Sequence, residues 1–187
     1  MGRAQTHFEE GAAALQRGDL VAARAAFEAA VERDPSYQEG WHQLGLVHFR
    51  ALQLEEAVYA IERAISEGAR DARVYTNLGI VLQHLNRFDE ALERYAEALE
   101  LDPDRVSAHT NSASILTRRF EHAKAEVHLR HVLRLEPGGI VRPAVGRLRR
   151  GHRGRGPGAQ AGSSAAAAAQ RVERGGLGRG GRPPAVL

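Results

Sequence analysis

The stretch YTNLGIVLQHLNRFDEALERYAEALELDP, residues 75–103, decides the fold of this 187-residue chain. Apolar side chains within residues 75–82 recur every three or four positions, which is the spacing of one helix face, and residues 88–99 resume the pattern after a polar break. Pro103 ends the second segment, because the residue before a proline is disfavoured in the α region. The stretch therefore predicts two helices joined by a short turn.

This unit recurs along the chain with a period of 34 residues. Pro103 and Pro137 are 34 positions apart, and Pro35 precedes Pro103 by 68, with Ala69 at the intermediate position. Small and bulky residues keep the same step, as in the columns Gly11, Gly45, Gly79, Ala113 and Phe27, Ile61, Tyr95, Leu129. We predict four repeats over residues 4–139, with bounds 4–37, 38–71, 72–105 and 106–139.

A single two-helix unit cannot bury its apolar face, so such units are expected to stack on one another. The small residues in the Gly45 column predict close approach of paired helices, where a larger side chain would overpack the interface. The predicted fold class is therefore an all-α solenoid of four helix-turn-helix units.

The repeated residues resemble the tetratricopeptide repeat. The pattern Trp41-x-x-Leu44-Gly45, the spacing Ala57-x-x-x-Ile61-x-x-Ala64 and the closing Asp102-Pro103 carry this resemblance. The chain departs from the pattern at Ala69 and at Ser112-Ala113. The resemblance implies a right-handed superhelix and a non-catalytic scaffold that binds a peptide segment of a partner protein.

The resemblance also implies where a peptide would bind, because the first helix of each repeat lines the concave groove in that family. Gln43, Asn77 and Asn111 recur at the 34-residue step and form a column of amides that can hydrogen-bond an extended backbone. The side chains expected to add selectivity are Phe8, Leu46, Arg73 and Ile80. The lysines and asparagines of the family's carboxylate clamp are not reproduced, since the chain has only one lysine, Lys124.

Catalytic and metal sites have little support in the sequence. The absence of cysteine excludes disulfides and thiolate metal sites, and no Walker, Gly-x-Ser-x-Gly or His-Glu-x-x-His motif occurs. His128 and His131 share a helix face with metal-ligand spacing, yet packed or solvated histidines explain them better. We expect no enzyme activity, no cofactor and no metal.

The last 50 residues differ in composition from the rest. Residues 1–137 hold 16 basic and 22 acidic side chains, net −6, whereas residues 138–187 hold 10 arginines and one glutamate, net +9, for the total of +3. We predict a possible capping helix over 140–150 and a disordered basic tail over 151–187.

Several questions stay open at this stage. One alternative function is a nucleic-acid accessory protein acting through the arginine- and glycine-rich tail, although the tail has no aromatic residue for base stacking. Other interpretations are that the chain is a repeat fragment of a longer enzyme, or that its C-terminal end is frame-shifted.

The lack of a secretory or membrane-spanning apolar run predicts a cytoplasmic protein with no membrane partner, and the arginine bias suggests a bacterial source. The partner's identity and the oligomeric state are undetermined.

Overall fold

The computed structural model describes residues 2–137, and these form eight α-helices with no strand among them. The helices are α1 (Gly2–Gln16), α2 (Leu20–Arg33), α3 (Gln38–Arg50), α4 (Leu54–Ser66), α5 (Ala72–His84), α6 (Phe88–Leu101), α7 (Val106–Arg118) and α8 (His122–Leu135). The predicted all-α class is confirmed. The predicted capping helix at 140–150 and tail at 151–187 lie outside the described residues. Within residues 2–137, no helix combines the length and the apolar character needed to cross a bilayer.

The turns inside the four hairpins share one backbone device. Gly18, Leu52, Asn86 and Phe120 stand 34 residues apart, and each has a positive φ, between 60° and 76°. This left-handed conformation reverses the chain directly after the first helix. The free-energy cost of this conformation is small for glycine and moderate for asparagine. At Leu52 and Phe120, whose side chains are larger, the backbone is strained.

The second repeat ends without the proline found in the other repeats, and glycine takes over the helix stop. Gly68 has φ 99°, its N–H donates to the Ile65 carbonyl at 2.9 Å, and the Ala69 N–H donates to the Ala64 carbonyl at 3.0 Å. These bonds satisfy carbonyls at the end of α4 that would otherwise lack partners. The helix α4 therefore ends one residue earlier than the equivalent helices of the other repeats, and α5 still begins 34 residues after α3.

The core consists of bulky side chains from each second helix set against glycine on the first helix. Phe27, Ile61 and Tyr95 are all fully buried. A Cβ added at Gly79 would lie 2.5 Å from Tyr95 Cε1, and one added at Gly45 would lie 2.5 Å from Ile61 Cγ1. The bulky side chain of the second helix touches the backbone of the first helix, and this contact requires the column of small residues.

Successive hairpins stack on one another, and the stack has two different sides. The first helices approach each other directly, α3 with α5 and α5 with α7, whereas the second helices of neighbouring repeats make no comparably extensive contacts within residues 2–137. A stack whose first helices lie closer together curves toward them. The inner, concave surface is therefore formed by α3, α5 and α7, and α1 is the equivalent helix of the first repeat.

Candidate functional site

The amide column lies along the concave surface, but its members differ in how their donors are used. Gln43 Nε2 donates to Glu39 Oε1 at 2.7 Å, and Asn77 Nδ2 donates to His42 Nε2 at 2.9 Å. Asn111 has no recorded side-chain partner among residues 2–137, and it borders a shallow cavity of about 580 Å³. All three amides are half-buried, so each keeps part of its polar surface open.

The bond between Asn77 and His42 fixes the orientation of both side chains. His42 is 4% exposed, and since Asn77 donates to its Nε2, the neutral imidazole carries its proton on Nδ1. That Nδ1 has no hydrogen-bond partner within residues 2–137, and it lies 3.9 Å from Glu39 Oε1. Asn77 thus turns its carbonyl oxygen away from His42, where it is available as an acceptor.

Glu39 stays ionised in this arrangement. The pKa of its carboxyl is held below its ordinary value, first by the His42 imidazole and then by the hydrogen bond from Gln43, against the opposing effect of partial burial. The concave surface of the second repeat therefore carries a fixed negative charge.

Arg73 lies at the start of α5, where its side chain forms an ion pair with Asp71. Its guanidinium donates to Asp71 from Nη2 at 2.6 Å and from Nε at 3.0 Å, while Asp71 also accepts from the Arg73 backbone N–H at 2.7 Å. The arginine side chain is 62% exposed, so a ligand can reach it. Its charge is nevertheless largely compensated by Asp71.

The three apolar side chains predicted to add selectivity are each only partly open to the concave surface. Phe8 packs edge-on against Tyr37 with ring centroids 5.3 Å apart and lies 5.5 Å from the Phe27 ring. Ile80 packs against the core of the second and third repeats. Leu46 is half-buried on α3. These residues lie on successive first helices, so they offer separate small apolar contact areas and not one deep pocket.

The sequence analysis did not predict the hydrogen bonds that join the polar side chains around these residues. Gln5 Nε2 donates to Glu9 Oε1 at 3.0 Å, and the Tyr37 hydroxyl donates to Gln5 Oε1 at 3.0 Å. The four-residue spacing of Gln5 with Glu9 repeats 34 positions later in Glu39 with Gln43, and this spacing is the signal that could have found the network.

Three histidines of the last repeat, His109, His128 and His131, lie against one another. His109 Nδ1 lies 2.9 Å from His128 Nδ1, and the His109 and His131 rings stack with centroids 4.2 Å apart. Burial, followed by the nearby His109 and His131, lowers the pKa of His128. In the part of the chain that the structure describes, no three histidine, aspartate or glutamate side chains form a metal-binding group.

Asp71 provides a pH-dependent check on the edge of the site. It is the N-cap of α5, and its pKa is lowered from 3.8 to about 2, chiefly by the hydrogen bond with the Arg73 side chain. Replacing Asp71 with alanine should lower the free energy of unfolding by about 1 kcal/mol at neutral pH. Because a depressed pKa stabilises the fold above the unfolded value, this cost should shrink as the pH falls below 3.8 toward 2.

Urea denaturation of the wild type and Asp71→Ala over that range measures the difference. Asp71→Asn is the control, since asparagine also caps a helix but does not titrate. A cost for Asp71→Ala that is the same at neutral pH and at the acid end would contradict the assignment.

Comparison with known proteins agrees with this architecture. Tetratricopeptide repeat models match residues 8–73 and residues 72–105, which together make up more than half of the 187 residues. The fold and the concave surface define a solenoid of paired helices, a class whose members serve as protein-interaction scaffolds. The chain belongs to the tetratricopeptide repeat family.

Two known proteins are similar in sequence to parts of this chain. The type IV pilus assembly protein PilF of Pseudomonas aeruginosa is 28% identical over 131 residues, which are 69% of this chain and 52% of PilF. The protein O-mannosyl-transferase TMTC1 of Mus musculus is 29% identical over 111 residues, 57% of this chain and 12% of that protein. The chain thus spans about half the length of the first relative and a small part of the second.

Solved structures show the same fold. A MamA chain from Desulfovibrio magneticus that begins at its residue 41 superposes with a TM-score of 0.67 at 23% identity, covering 72% of this chain and 76% of that one. A tetratricopeptide repeat protein from Parabacteroides merdae gives a TM-score of 0.70 at 20% identity, covering 75% of this chain and 56% of that protein. At these identities the likeness concerns the fold alone.

Proposed function

We propose that the chain is a non-catalytic scaffold that holds an extended peptide segment of a partner protein along its concave surface. The observation that carries this proposal is the amide column, in which Gln43, Asn77 and Asn111 stand at equivalent places on three successive first helices. A row of half-buried amides spaced by one repeat suits a ligand that offers backbone groups at regular intervals.

The donors already used within the chain define what each amide contributes. The carbonyl oxygens of Gln43 and Asn77 accept N–H groups from the peptide, while one N–H of each amide is already bound to Glu39 or His42 and the second is left to donate. Asn111 offers both a donor and an acceptor. Phe8, Leu46 and Ile80 supply apolar contact beside the column, and Arg73 supplies a polar contact at its edge.

The name of PilF supports a role in assembly, since that relative is described as a type IV pilus assembly protein. For this chain we propose only a general assembly role: it holds a segment of a partner protein in a defined place and does not change it chemically. The transferase relatives match this chain over only a small share of their own length, so we do not propose transferase activity for it.

The amide column can be tested with peptides selected from a random library displayed on phage and panned against the full chain. The double variant Asn77→Ala, Asn111→Ala should weaken binding of the selected peptide about 30-fold, because roughly 1 kcal/mol is lost with each hydrogen bond. Isothermal titration calorimetry measures the dissociation constant, and circular dichroism checks that the helices persist.

The matched control removes polar side chains from the outer surface instead. Glu55→Ala with Glu56→Ala alters two exposed residues at the start of α4 and should leave the affinity unchanged within about twofold. An affinity that survives the loss of both asparagines, with the fold intact, would rule out the column as the binding element.

A further inference from the structure

A group of titratable side chains in the fourth repeat is called the histidine cluster here and consists of His109, His128 and His131. Two of its members stand where the second repeat has a different pair. Trp41 donates from Nε1 to the Pro35 carbonyl at 2.8 Å, and the Arg63 guanidinium lies over its ring, 5.4 Å from the centroid. His109 and His131 follow Trp41 and Arg63 by 68 residues, which is two repeat lengths. A contact with a permanent charge in the second repeat is therefore made by two titratable rings in the fourth.

Hydrogen bonds fix the protons on His109 and His128. His109 Nε2 lies 2.9 Å from the Pro103 carbonyl oxygen, which can only accept, so Nε2 carries the proton. The Nδ1 of a neutral His109 is then bare, and it accepts the Nδ1–H of His128 at 2.9 Å. Two N–H groups cannot face each other at this distance. The contact is therefore satisfied when both rings are neutral and is broken when both are protonated.

His131 is also held in its neutral form. Its ring stacks on His109, its Nε2 donates to Asp104 Oδ1 at 2.9 Å, and its Nδ1 accepts from Arg134 Nη2 at 3.1 Å. A proton on Nδ1 would face the Arg134 guanidinium. Asp104 therefore favours a charge on His131, whereas Arg134 opposes it, and Arg105 adds a positive charge one turn before His109 on α7.

The other charged groups beside the histidine cluster do not compensate a charge on its two inner rings. His128 borders a cavity of about 650 Å³, where Glu100 from α6 and Lys124 from α8 contribute opposite charges. Within residues 2–137, His131 is the one member of the cluster that forms a salt bridge with a carboxylate. A proton gained by His109 or His128 therefore has no fixed counter-charge there.

The pKa of His128 agrees with this geometry. Burial, followed by the charges of His109 and His131, lowers it from its ordinary value of 6.5. A histidine whose pKa is lowered by folding contributes its full stability above 6.5, and this contribution is lost as the pH falls below that value. The response is therefore expected at mildly acidic pH, where carboxylates are still ionised.

The fourth repeat has less apolar packing than its neighbours with which to resist such a change. Leu44 and Leu78 are buried on α3 and α5, and the equivalent buried residue on α7 is Ser112. The smaller side chain leaves space, since Ser112 and His128 line the same cavity. The contacts of the histidines therefore make up a larger part of the packing between α7 and α8.

We propose that the histidine cluster is an acid-sensitive joint whose protonation separates α7 from α8 and opens the fourth repeat at mildly acidic pH. Repeats of a solenoid contact only their neighbours, so one repeat can open separately. Asn111 lies two residues after His109, so opening also removes one end of the amide column. The loss of peptide binding that follows rests on the proposed function, whereas the joint itself does not.

Hydrogen–deuterium exchange of the full chain at pH 7.5 and pH 5.5, followed by mass spectrometry, tests the joint repeat by repeat. Protection factors, corrected for intrinsic exchange rates, should fall at least about tenfold more in α7 and α8 than in α3 and α4. The matched control is His84→Gln, which alters an exposed histidine of the third repeat and should change this difference by less than about twofold.

The second repeat supplies the residues for a variant that does not titrate. His109→Trp, His128→Ala and His131→Arg together copy Trp41, Ala60 and Arg63 into the equivalent positions and should abolish the difference between the repeats. Circular dichroism at pH 7.5 checks that this variant folds. His128→Ala alone removes the contact between the two Nδ1 atoms and should reduce the difference in the same direction.

Equal loss of protection in the second and fourth repeats would overturn the joint, and so would a response that persists unchanged in the triple variant or in His128→Ala. Calorimetry with the library-selected peptide at the same two pH values tests the link to binding. Weaker binding at pH 5.5 that the triple variant restores would support both the joint and the proposed function. An affinity that stays constant while α7 and α8 open would refute the role of Asn111 in the proposed function and leave the joint in place.

Discussion

Replacing Tyr95 with alanine is expected to lower the free energy of unfolding by about 3–5 kcal/mol. The Tyr95 side chain is fully buried and packs against the backbone of α5 at Gly79. Its removal leaves a cavity in the middle of the stack, where neighbouring repeats on both sides limit collapse. Urea denaturation followed by circular dichroism measures the change.

Tyr95→Phe separates packing from hydrogen bonding. The Tyr95 hydroxyl donates to Gln83 Oε1 at 3.0 Å, so the phenylalanine variant loses this bond and keeps the ring. We expect a cost of about 1 kcal/mol for Tyr95→Phe. A loss below about 1 kcal/mol for Tyr95→Ala would show that the ring is not enclosed by the two helices.

The second large effect concerns Gly79, where the sign of a mutation should depend on its neighbour. Gly79→Ala alone should destabilise the chain by about 1–3 kcal/mol, because the new methyl would lie 2.5 Å from Tyr95 Cε1 and force the ring to move. This clash outweighs the helix propensity that alanine gains over glycine, roughly 1 kcal/mol.

The clash disappears when the ring is removed. In the Tyr95→Ala background, Gly79→Ala should therefore stabilise the chain by about 0.5–1 kcal/mol through helix propensity. A double-mutant cycle in urea compares the two backgrounds. The same effect of Gly79→Ala in both would mean that Gly79 and Tyr95 do not form the close contact on which the repeat packing depends.

The hairpin architecture could be predicted because the 34-residue period records packing that every repeat shares. The glycine column at positions 11, 45 and 79 is a local consequence of the ring or branched side chain opposite, so spacing alone reveals it. Even the departure at Ala69 follows a local rule, since Gly68 ends α4 where proline is missing.

The details of the concave surface could not be obtained in this way. The orientation of the Asn77 amide depends on His42 in the preceding repeat, 35 positions away, and on the rotamers of both side chains. Periodicity identifies equivalent positions, whereas hydrogen bonds between repeats depend on the residues that differ.

The central claim is that the first helices form one shared surface that binds a peptide, and the lack of native cysteine makes it directly testable. Single cysteines are introduced by Thr110→Cys on the concave side of α7 and by Glu93→Cys on exposed α6, and each is labelled with a photo-activatable cross-linker. With the library-selected peptide bound, the account predicts cross-linking from the Thr110→Cys variant and little from the Glu93→Cys variant. Cross-linking that is equal from both, or stronger from α6, would contradict it.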